Sequence, residues 1–561
     1  MLVDEQEMSQ IAADGAEQEG EPGDAATPRS ARWIKRERAR QRAAAQAETL
    51  APLRPETMGA VDLDLHGAAF GGRMVGRLEG RVVFVAGGQP GERVRVRLTA
   101  ARKSYAEATA LAVLQPGERA DPPCPYFGEN GTRRGAVPLL TESKGAAQYD
   151  GVCGGCQYQH IRYDAQLHHK QRIVADLLRR VGRLSEPEVG LTLASPAPWA
   201  YRTKARWTVD PQGHVAYRRA GGREAVAVEA CYIVAPPLAA ALHRLAQDDL
   251  AAALRGRVAE ITARCLPDAD DPTVQRVVLV LHPQPGLPDE DAPAGSGVDE
   301  GEPVEPVVLT PQEALIQPVA LDEPHPLADL AAVLGEACGL WGVAAAPDRV
   351  GGRATTMWGQ GALRTRFAGI LYHLSPLTFF QVNPSAAELL LSQIRAGLGD
   401  LSGQTLLDVY SGAGAFALPL SSAAAEVLAI EADPQAVEDA RASAELNGIR
   451  NVTLMPGAAA ARLREITKGM ADAAVLDPPR SGCGLDVLDE LGRLALRRVV
   501  YVSCDPATLA RDLGLLEARG YQTLSVYPVD LFPQTASIEV VATLGRRDTL
   551  TPTTPTDADQ A

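Results

Sequence analysis

The sequence predicts an α/β protein with a doubly wound, Rossmann-like sheet in its C-terminal part, preceded by an OB-like β-barrel and a small α+β domain between the two. Three observations predict it. From about 383 to 545, buried-type strand runs (TLLDVY, EVLAIEA, DAAVLDPP, RRVVYVSC, SIEVVATL) alternate with helical stretches, the rhythm of a parallel sheet wrapped by helices. From about 57 to 115, short runs alternate apolar and polar residues and are cut by Gly-Gly and Pro-Gly turns, as in a small antiparallel barrel. A length of 561 residues holds roughly three domains.

In chain order, residues 1–54 lack periodic apolar spacing and join an acidic stretch to the basic run RWIKRERARQR, so they read as a disordered arm, with a short solvated helix over 31–48 equally open. The barrel takes 55–118. In RVRVRL, Arg93, Arg95 and Arg97 share one face and Val94, Val96 and Leu98 the other, because side chains alternate across a strand. With Arg73, Arg77, Arg81, Arg102 and Lys103 nearby, that cationic face suits the phosphates of RNA. Residues 119–380 mix strands such as VQRVVLVLH with Ala/Leu helices, interrupted at 284–324 by a Pro-, Glu- and Asp-rich insertion that cannot offset its ordering entropy. The doubly wound sheet takes 381–547, and a polar Thr/Pro tail runs from 548 to 561.

Composition narrows the class. Hydrophobic residues at 46% and charged residues at 22% exclude collagenous, coiled-coil and wholly disordered chains. No apolar run approaches the ~18 to 20 residues of a membrane span. MLVDEQEMSQ has neither the basic region nor the apolar core of a signal peptide. A cytoplasmic monomer without a membrane partner is expected. The net charge of −15 is confined: residues 1–30 hold eight acids and one base, 284–324 ten acids and no Lys or Arg, and the last ten residues two acids. The remainder has 50 acids against 54 bases, a balance compatible with a nucleic-acid partner.

Eight cysteines are too sparse for a disulfide scaffold, so clustered ones point to metal or catalysis. Cys153-Gly-Gly-Cys156 lets two thiolates reach one metal, Cys124 lies upstream in DPPCPYFG, and Cys231 lies downstream in VEACYIV. Four thiolates complete either a zinc site or an iron–sulfur cluster, and spacing does not separate the two. Cys265, Cys338 and Cys483 read as small buried residues.

In TLLDVYSGAGAFALPL, a strand runs through Asp408 into a Gly-x-Gly turn (Gly412, Gly414), where the backbone can approach a ligand at the strand's carboxyl end. The next strand ends in Glu431, placed for ribose hydroxyls, and the lack of a full dinucleotide fingerprint favours S-adenosylmethionine over NAD. Asp477-Pro478-Pro479-Arg480 makes a stiff loop at the same crevice. The fourth strand delivers Cys504, and Glu539 opens the last. A thiol and a carboxylate beside a methyl donor suit methylation of carbon 5 of uracil. A thiolate added at carbon 6 makes carbon 5 enolate-like, and a base then removes the carbon-5 proton to expel the thiol.

These residues resemble a known family. DPPCPYFG after the barrel, CGGCQYQH, FFQVN (379–383), DVYSGAGAF, DPPRSG, YVSCDP and the final FP…E element are similar, in order and over roughly 57–545, to RNA (uracil-5-)-methyltransferases, especially the 23S rRNA type with a TRAM domain and a [4Fe-4S] cluster. The resemblance implies that Gln381, Tyr410, Glu431 and Asp477 bind S-adenosylmethionine, that Cys504 is the nucleophile and Glu539 the proton acceptor, and that Cys124, Cys153, Cys156 and Cys231 hold the cluster. It makes 23S rRNA the expected substrate, with a tRNA uracil-5-methyltransferase or a non-catalytic RNA-binding protein as alternatives. A cytosine-5 methyltransferase shares the cysteine but needs other exocyclic contacts, and a radical enzyme needs a CxxxCxxC trio that the chain lacks.

The chain also departs from the family pattern. Cys124 and Cys153 are separated by 28 residues where the family keeps them close, so 129–151 reads as an insertion. Ser411 stands for a cysteine and Ala415 for a polar residue, FPHTxH becomes FPQTAS with Gln534 and Ser537, and MPGAAAA lacks the acid expected near adenine.

Overall fold

A computed structural model describes residues 53, 55, 58–128, 153–185, 187–285, 325–346 and 353–549. The N-terminal basic run, the insertion read at 129–151, nearly all of the acidic insertion and the tail from 550 lie outside the described residues.

The barrel strands are β1 (Val61–Asp64), β2 (Gly67–Ala68), β3 (Met74–Leu78), β4 (Arg81–Ala86), β5 (Arg93–Ala101) and β6 (Tyr105–Gln115), ordered β1-β5-β6-β4-β3-β2. Alternation sets the two faces: Val94, Val96 and Leu98 join Val83, Val85, Ala106 and Ala108 in the core, while Arg93, Arg95 and Arg97 stay exposed. Two expectations need correcting. The barrel is not wholly antiparallel, because β5 pairs on the far side of β6 and leaves β4 and β6 running parallel. Arg81 is not on the cationic face, since it opens β4 at 5% exposure. Arg73 and Arg95 are paired with Glu107 (2.9 Å) and Asp62 (2.8 Å).

Next comes α1 (Tyr163–Arg180). The central sheet then comprises β7 (Lys204–Val209), β8 (Val215–Arg218), β9 (Ala225–Ala227), β10 (Val258–Pro267), β11 (Gln275–Pro283), β12 (Gly342–Ala345) and β13 (Thr355–Gly359). Its order is β13-β12-β11-β10-β7-β8-β9, with α2 (Pro236–Leu245), α3 (Asp248–Leu254) and α4 (Ala328–Ala337) covering the face of Trp207, Ile261, Leu279 and Val343. Cys265 is buried there, whereas Cys338, expected to be buried, caps the end of α4 and is only half-buried. The hairpin β14 (Leu363–Phe367) and β15 (Ile370–Leu374) leads into α5 (Pro384–Leu398), which is started by the Asn383 side chain accepting from Ala386 N and by Pro384 in the first turn.

The third sheet follows the expected α/β rhythm. Strands β16 (Thr405–Val409), β17 (Glu426–Glu431), β18 (Val452–Pro456), β19 (Ala473–Leu476) and β20 (Arg498–Ser503) are parallel, and β21 (Tyr521–Val529) and β22 (Glu539–Arg546) complete it. The order β18-β17-β16-β19-β20-β22-β21 reverses direction of winding between β16 and β19, which opens a crevice at their carboxyl ends. The connecting helices are α6 (Ala417–Leu420), α7 (Pro434–Leu446), α8 (Ala459–Glu465), α9 (Leu485–Leu494) and α10 (Pro506–Ala518). The sheet is not parallel throughout: β22 runs antiparallel to both β20 and β21, since a hairpin joins it to β21.

By sequence α1 lies far from this sheet, yet Ile173, Val174 and Leu178 belong to its core. The same face carries Lys170, whose Nζ meets Asp530 Oδ1 at 2.6 Å, with both side chains fully buried. Removing one partner of such a pair costs about 3–5 kcal/mol because the other charge is left uncompensated. The barrel also packs here: Tyr158, Ile161 and Ala536 join its core, and a Cβ on Gly72, at φ 85°, would press on Gln157 and Ala536 at 3.0 Å.

Candidate active site and cysteine cavity

The carboxyl end of β16 shapes the first part of the site. After Val409 the chain turns sharply. Tyr410 adopts φ 70°, uncommon for a residue with a Cβ, and the amides of Tyr410 and Ser411 both donate to Ile430 O at 2.9 Å. Gly412, at φ 55°, faces open space, which leaves its backbone accessible to a ligand. Glu431 organises this loop: Oε2 accepts from Gly412 N (2.8 Å), and Oε1 accepts from Ala432 N (2.7 Å) and Asp433 N (2.8 Å). Gln381 is buried in the segment before α5, which leans on the same loop through Phe380 packing on Tyr372, whose hydroxyl donates to Gly414 O at 3.1 Å.

Acid is the excess charge in this crevice. Asp408 is fully buried and neither carboxylate oxygen has a hydrogen-bond partner. Burial first, then the charges of Asp477 and Glu431, push its pKa up to about 8. Asp477 follows β19, with its amide donating to Val409 O at 3.3 Å, and burial raises it too. An unpartnered buried carboxylate such as Asp408 suits a cationic ligand, and S-adenosylmethionine carries an ammonium and a sulfonium. Such acids would bind a cation in their ionised form, so its arrival would release protons. Affinity for S-adenosylmethionine should therefore rise by more than tenfold between pH 6 and 8, a difference of more than about 1.4 kcal/mol. Calorimetry in buffers of different ionisation enthalpy reads the proton release directly, and a flat profile with no release contradicts this reading.

The second part of the site is the edge formed by β20 and β22. Ser503 pairs with Val540, so Cys504, directly after β20, and Glu539, the first residue of β22, come to the same edge of the sheet. Asp505 caps α10 by accepting from Ala507 N (2.9 Å) and Thr508 N (3.0 Å), which fixes the turn carrying the thiol. Burial, then the neighbouring Glu539 charge, pushes the Cys504 thiol up to about 11, while Arg480 opposes the rise by charge and by a side-chain hydrogen bond. Burial and Asp477 raise Glu539 well above the ordinary carboxylate range, again opposed by Arg480. Arg480 is thus the cation that acts on both thiol and carboxylate. The sequence reading treated DPPR as a stiff loop and gave Arg480 no role, although a lone base at a strand end in an acidic crevice was the available signal.

The four singled-out cysteines meet elsewhere. Cys124, Cys153, Cys156 and Cys231 line one cavity of about 300 Å³ together with Tyr126 and Phe127. Cys153 N donates to Tyr126 O at 3.0 Å and Gly154 N to Arg218 O at 2.9 Å, so the CGGC turn is pinned between the end of the barrel segment and the central sheet. Burial pushes Cys153 up to about 11 and Cys156 to about 12, and raises Cys124 as well. Among the described residues no three His, Cys, Asp or Glu side chains are set to hold a metal ion. The cavity has room for a group of several atoms, and its donors are thiols, which suit soft metals.

Comparison with known proteins agrees with these features. Residues 361–547 match the tRNA (Uracil-5-)-methyltransferase family and residues 61–111 the TRAM domain. A relative named as an uncharacterized RNA methyltransferase from Nitratidesulfovibrio vulgaris is 34% identical over 87% of this chain and 96% of its own length. Another of that name from Synechocystis sp. is 30% identical over 86% and 95%. The solved structure of Pyrococcus abyssi tRNA (uracil-54, C5)-methyltransferase in complex with S-adenosyl-L-homocysteine shares the fold, at TM-score 0.56 and 20% identity over 86% of this chain and 100% of that one. The chain belongs to the S-adenosylmethionine-dependent RNA (uracil-5-)-methyltransferase family and carries an N-terminal TRAM domain.

Proposed function

We propose that the protein methylates carbon 5 of one uridine in 23S rRNA through a covalent adduct on Cys504 that Glu539 resolves. The observation that carries this reading is the meeting of Cys504, directly after β20, and Glu539, at the start of β22, on one edge of the sheet, where each feels the charge of Arg480. Gln381, Tyr410, Glu431 and Asp477, with Asp408 behind them, hold S-adenosylmethionine, which when bound supplies an electrophilic methyl group. The target uridine leaves its stack to reach the edge. Cys504 gives its proton to solvent and its Sγ bonds to carbon 6, moving the ring electrons towards carbon 5. Once carbon 5 carries the methyl group, Glu539 takes its remaining proton, the double bond between carbons 5 and 6 reforms, and the bond from carbon 6 to Sγ breaks.

The target class rests on the combination of the TRAM barrel with the four-thiol cavity, which resembles the 23S rRNA type. In this reading the exposed Arg93 and Arg97 meet phosphates rather than bases. A tRNA target is the second reading, favoured by the fold shared with the Pyrococcus abyssi enzyme. Mapping 5-methyluridine in both RNAs from a deletion strain separates the two. Loss of one site from 23S rRNA, with tRNA unchanged, is expected, and loss from tRNA alone moves the target.

Cys124, Cys153, Cys156 and Cys231 are proposed to hold a [4Fe-4S] cluster with a structural role, since they tie the segment after the barrel to the central sheet. Protein prepared without oxygen should be brown and contain about four irons per chain, the content of such a cluster. Stoichiometric zinc without iron, in anaerobic and aerobic preparations alike, refutes the cluster.

A further inference from the structure

The loop that enters Glu539 is held from outside its own sheet. Residues 530–538 join β21 to β22, and their carbonyls are occupied one after another. Leu531 O accepts from Asn383 Nδ2 (3.0 Å), Phe532 O from Lys170 Nζ (3.1 Å), and Pro533 O from the Tyr201 hydroxyl (3.0 Å). Gln534 O accepts from the amides of Gln157 (3.1 Å) and Tyr158 (2.9 Å). Side chains add a second layer. Gln166 and Gln534 pair reciprocally, Gln166 Nε2 donating to Gln534 Oε1 (2.9 Å) and Gln534 N to Gln166 Oε1 (3.1 Å), while Ala536 N donates to Gln157 Oε1 (3.0 Å). Gln534 is held at φ 67°, a conformation a residue with a Cβ adopts only when its surroundings fix it.

The supports of the two groups therefore differ. Cys504 directly follows β20, which is locked between parallel β19 and antiparallel β22, and directly precedes the Asp505 cap. Glu539 forms the end pair of its hairpin, with Val529, and such a pair is fixed in place only if the loop beyond it is. That loop rests on Tyr201, on Gln157 directly after Cys156, and on Gln166 of α1. We propose that Tyr201, Gln157 and Gln166 are positioning residues for Glu539, so that the segment beside the cysteine cavity sets the rate of proton removal and product release rather than of thiol addition. The inference rests on reading Glu539 as the base.

Tyr201→Phe removes one hydroxyl and keeps the ring, so it loosens Pro533 with little change in packing. The variant is compared with wild type in single turnovers on full-length unmodified 23S rRNA transcript with methyl-labelled S-adenosylmethionine, with Glu539→Gln and Cys504→Ala alongside. Denaturing gels separate free methylated RNA from methylated RNA still joined to protein. Tyr201→Phe should transfer methyl within about threefold of the wild-type rate yet release RNA about tenfold more slowly, as misplacement of a reacting group predicts, with labelled complex accumulating. Iron content and melting temperature, read on the same samples, should stay at wild-type values.

Equal slowing of transfer and release, or no slowing of either, overturns the proposal. Should Tyr201→Phe not fold, Gln166→Ala, which lies on α1 away from the cysteines, is read in the same way against the same criteria. If Glu539→Gln also fails to retain labelled RNA, the base assignment itself falls. If Glu539→Gln retains it and the positioning variants do not, only the present inference falls.

Discussion

Cys504→Ala should abolish both methylation and the protein–RNA adduct, whereas Glu539→Gln should trap methylated RNA on the protein. The difference follows from the order of bonds. Sγ must add to carbon 6 before carbon 5 becomes nucleophilic, so no later event occurs without the thiol. Proton removal comes last, and a carboxamide cannot accept the proton. Release should slow by about 10² to 10⁴, the contribution of a positioned base. Burial and Asp477 raise the proton affinity of Glu539, which suits an acceptor, although the group must be ionised to act. Arg480 opposes the rise and so favours the ionised form. Turnover by Cys504→Ala sinks the adduct mechanism, and normal product release by Glu539→Gln moves the base elsewhere.

Arg480→Ala should cost about 10² in adduct formation at pH 7, the loss typical of removing one charge-stabilising group. The thiol of Cys504 already stands near 11 with the guanidinium beside it. Without that cation the thiolate appears only at still higher pH; both thiols then titrate above the assay range, so from pH 7 to 9 both rates should climb together and the deficit should stay constant. Arg480→Lys keeps a charge but loses the planar donor, and should fall between the two. A wild-type adduct rate once RNA and donor are saturating assigns Arg480 to RNA or donor binding instead of thiol activation.

Much of the fold was legible because it rests on periodicity. The alternation of RVRVRL set the two faces of the barrel, and runs such as TLLDVY and DAAVLDPP could only be buried strands. Strand direction was not legible: whether β22 runs with or against β20 depends on a hairpin, and neither sequence period nor hydropathy encodes it. The buried face of α1 was hidden for another reason. Gln166 and Lys170 look like solvated residues, and their partners Gln534 and Asp530 lie more than 350 positions away. Arg81 misled because a base on a strand is usually exposed, and here it is buried at the turn that opens β4.

The site divides in the same way. Cys504, Glu539 and the acids after the strands were readable because strand ends in a doubly wound sheet converge on one edge. The convergence of Cys124 on Cys153, Cys156 and Cys231 needed the family resemblance, since the separation along the chain gives no spacing rule. Arg480 and the unpartnered state of Asp408 are properties of neighbours brought together by the fold, and one strand's sequence holds neither.

The most direct test of carbon-5 methylation is a count of hydrogens lost from that carbon. A 23S rRNA transcript carrying tritium at carbon 5 of its uridines is incubated with the protein and methyl-labelled S-adenosylmethionine, and tritium released to water is compared with methyl incorporated. The account predicts one tritium released for each methyl transferred, with release abolished in Cys504→Ala. Methyl incorporation without tritium release contradicts it, because the methyl group has then gone to another atom.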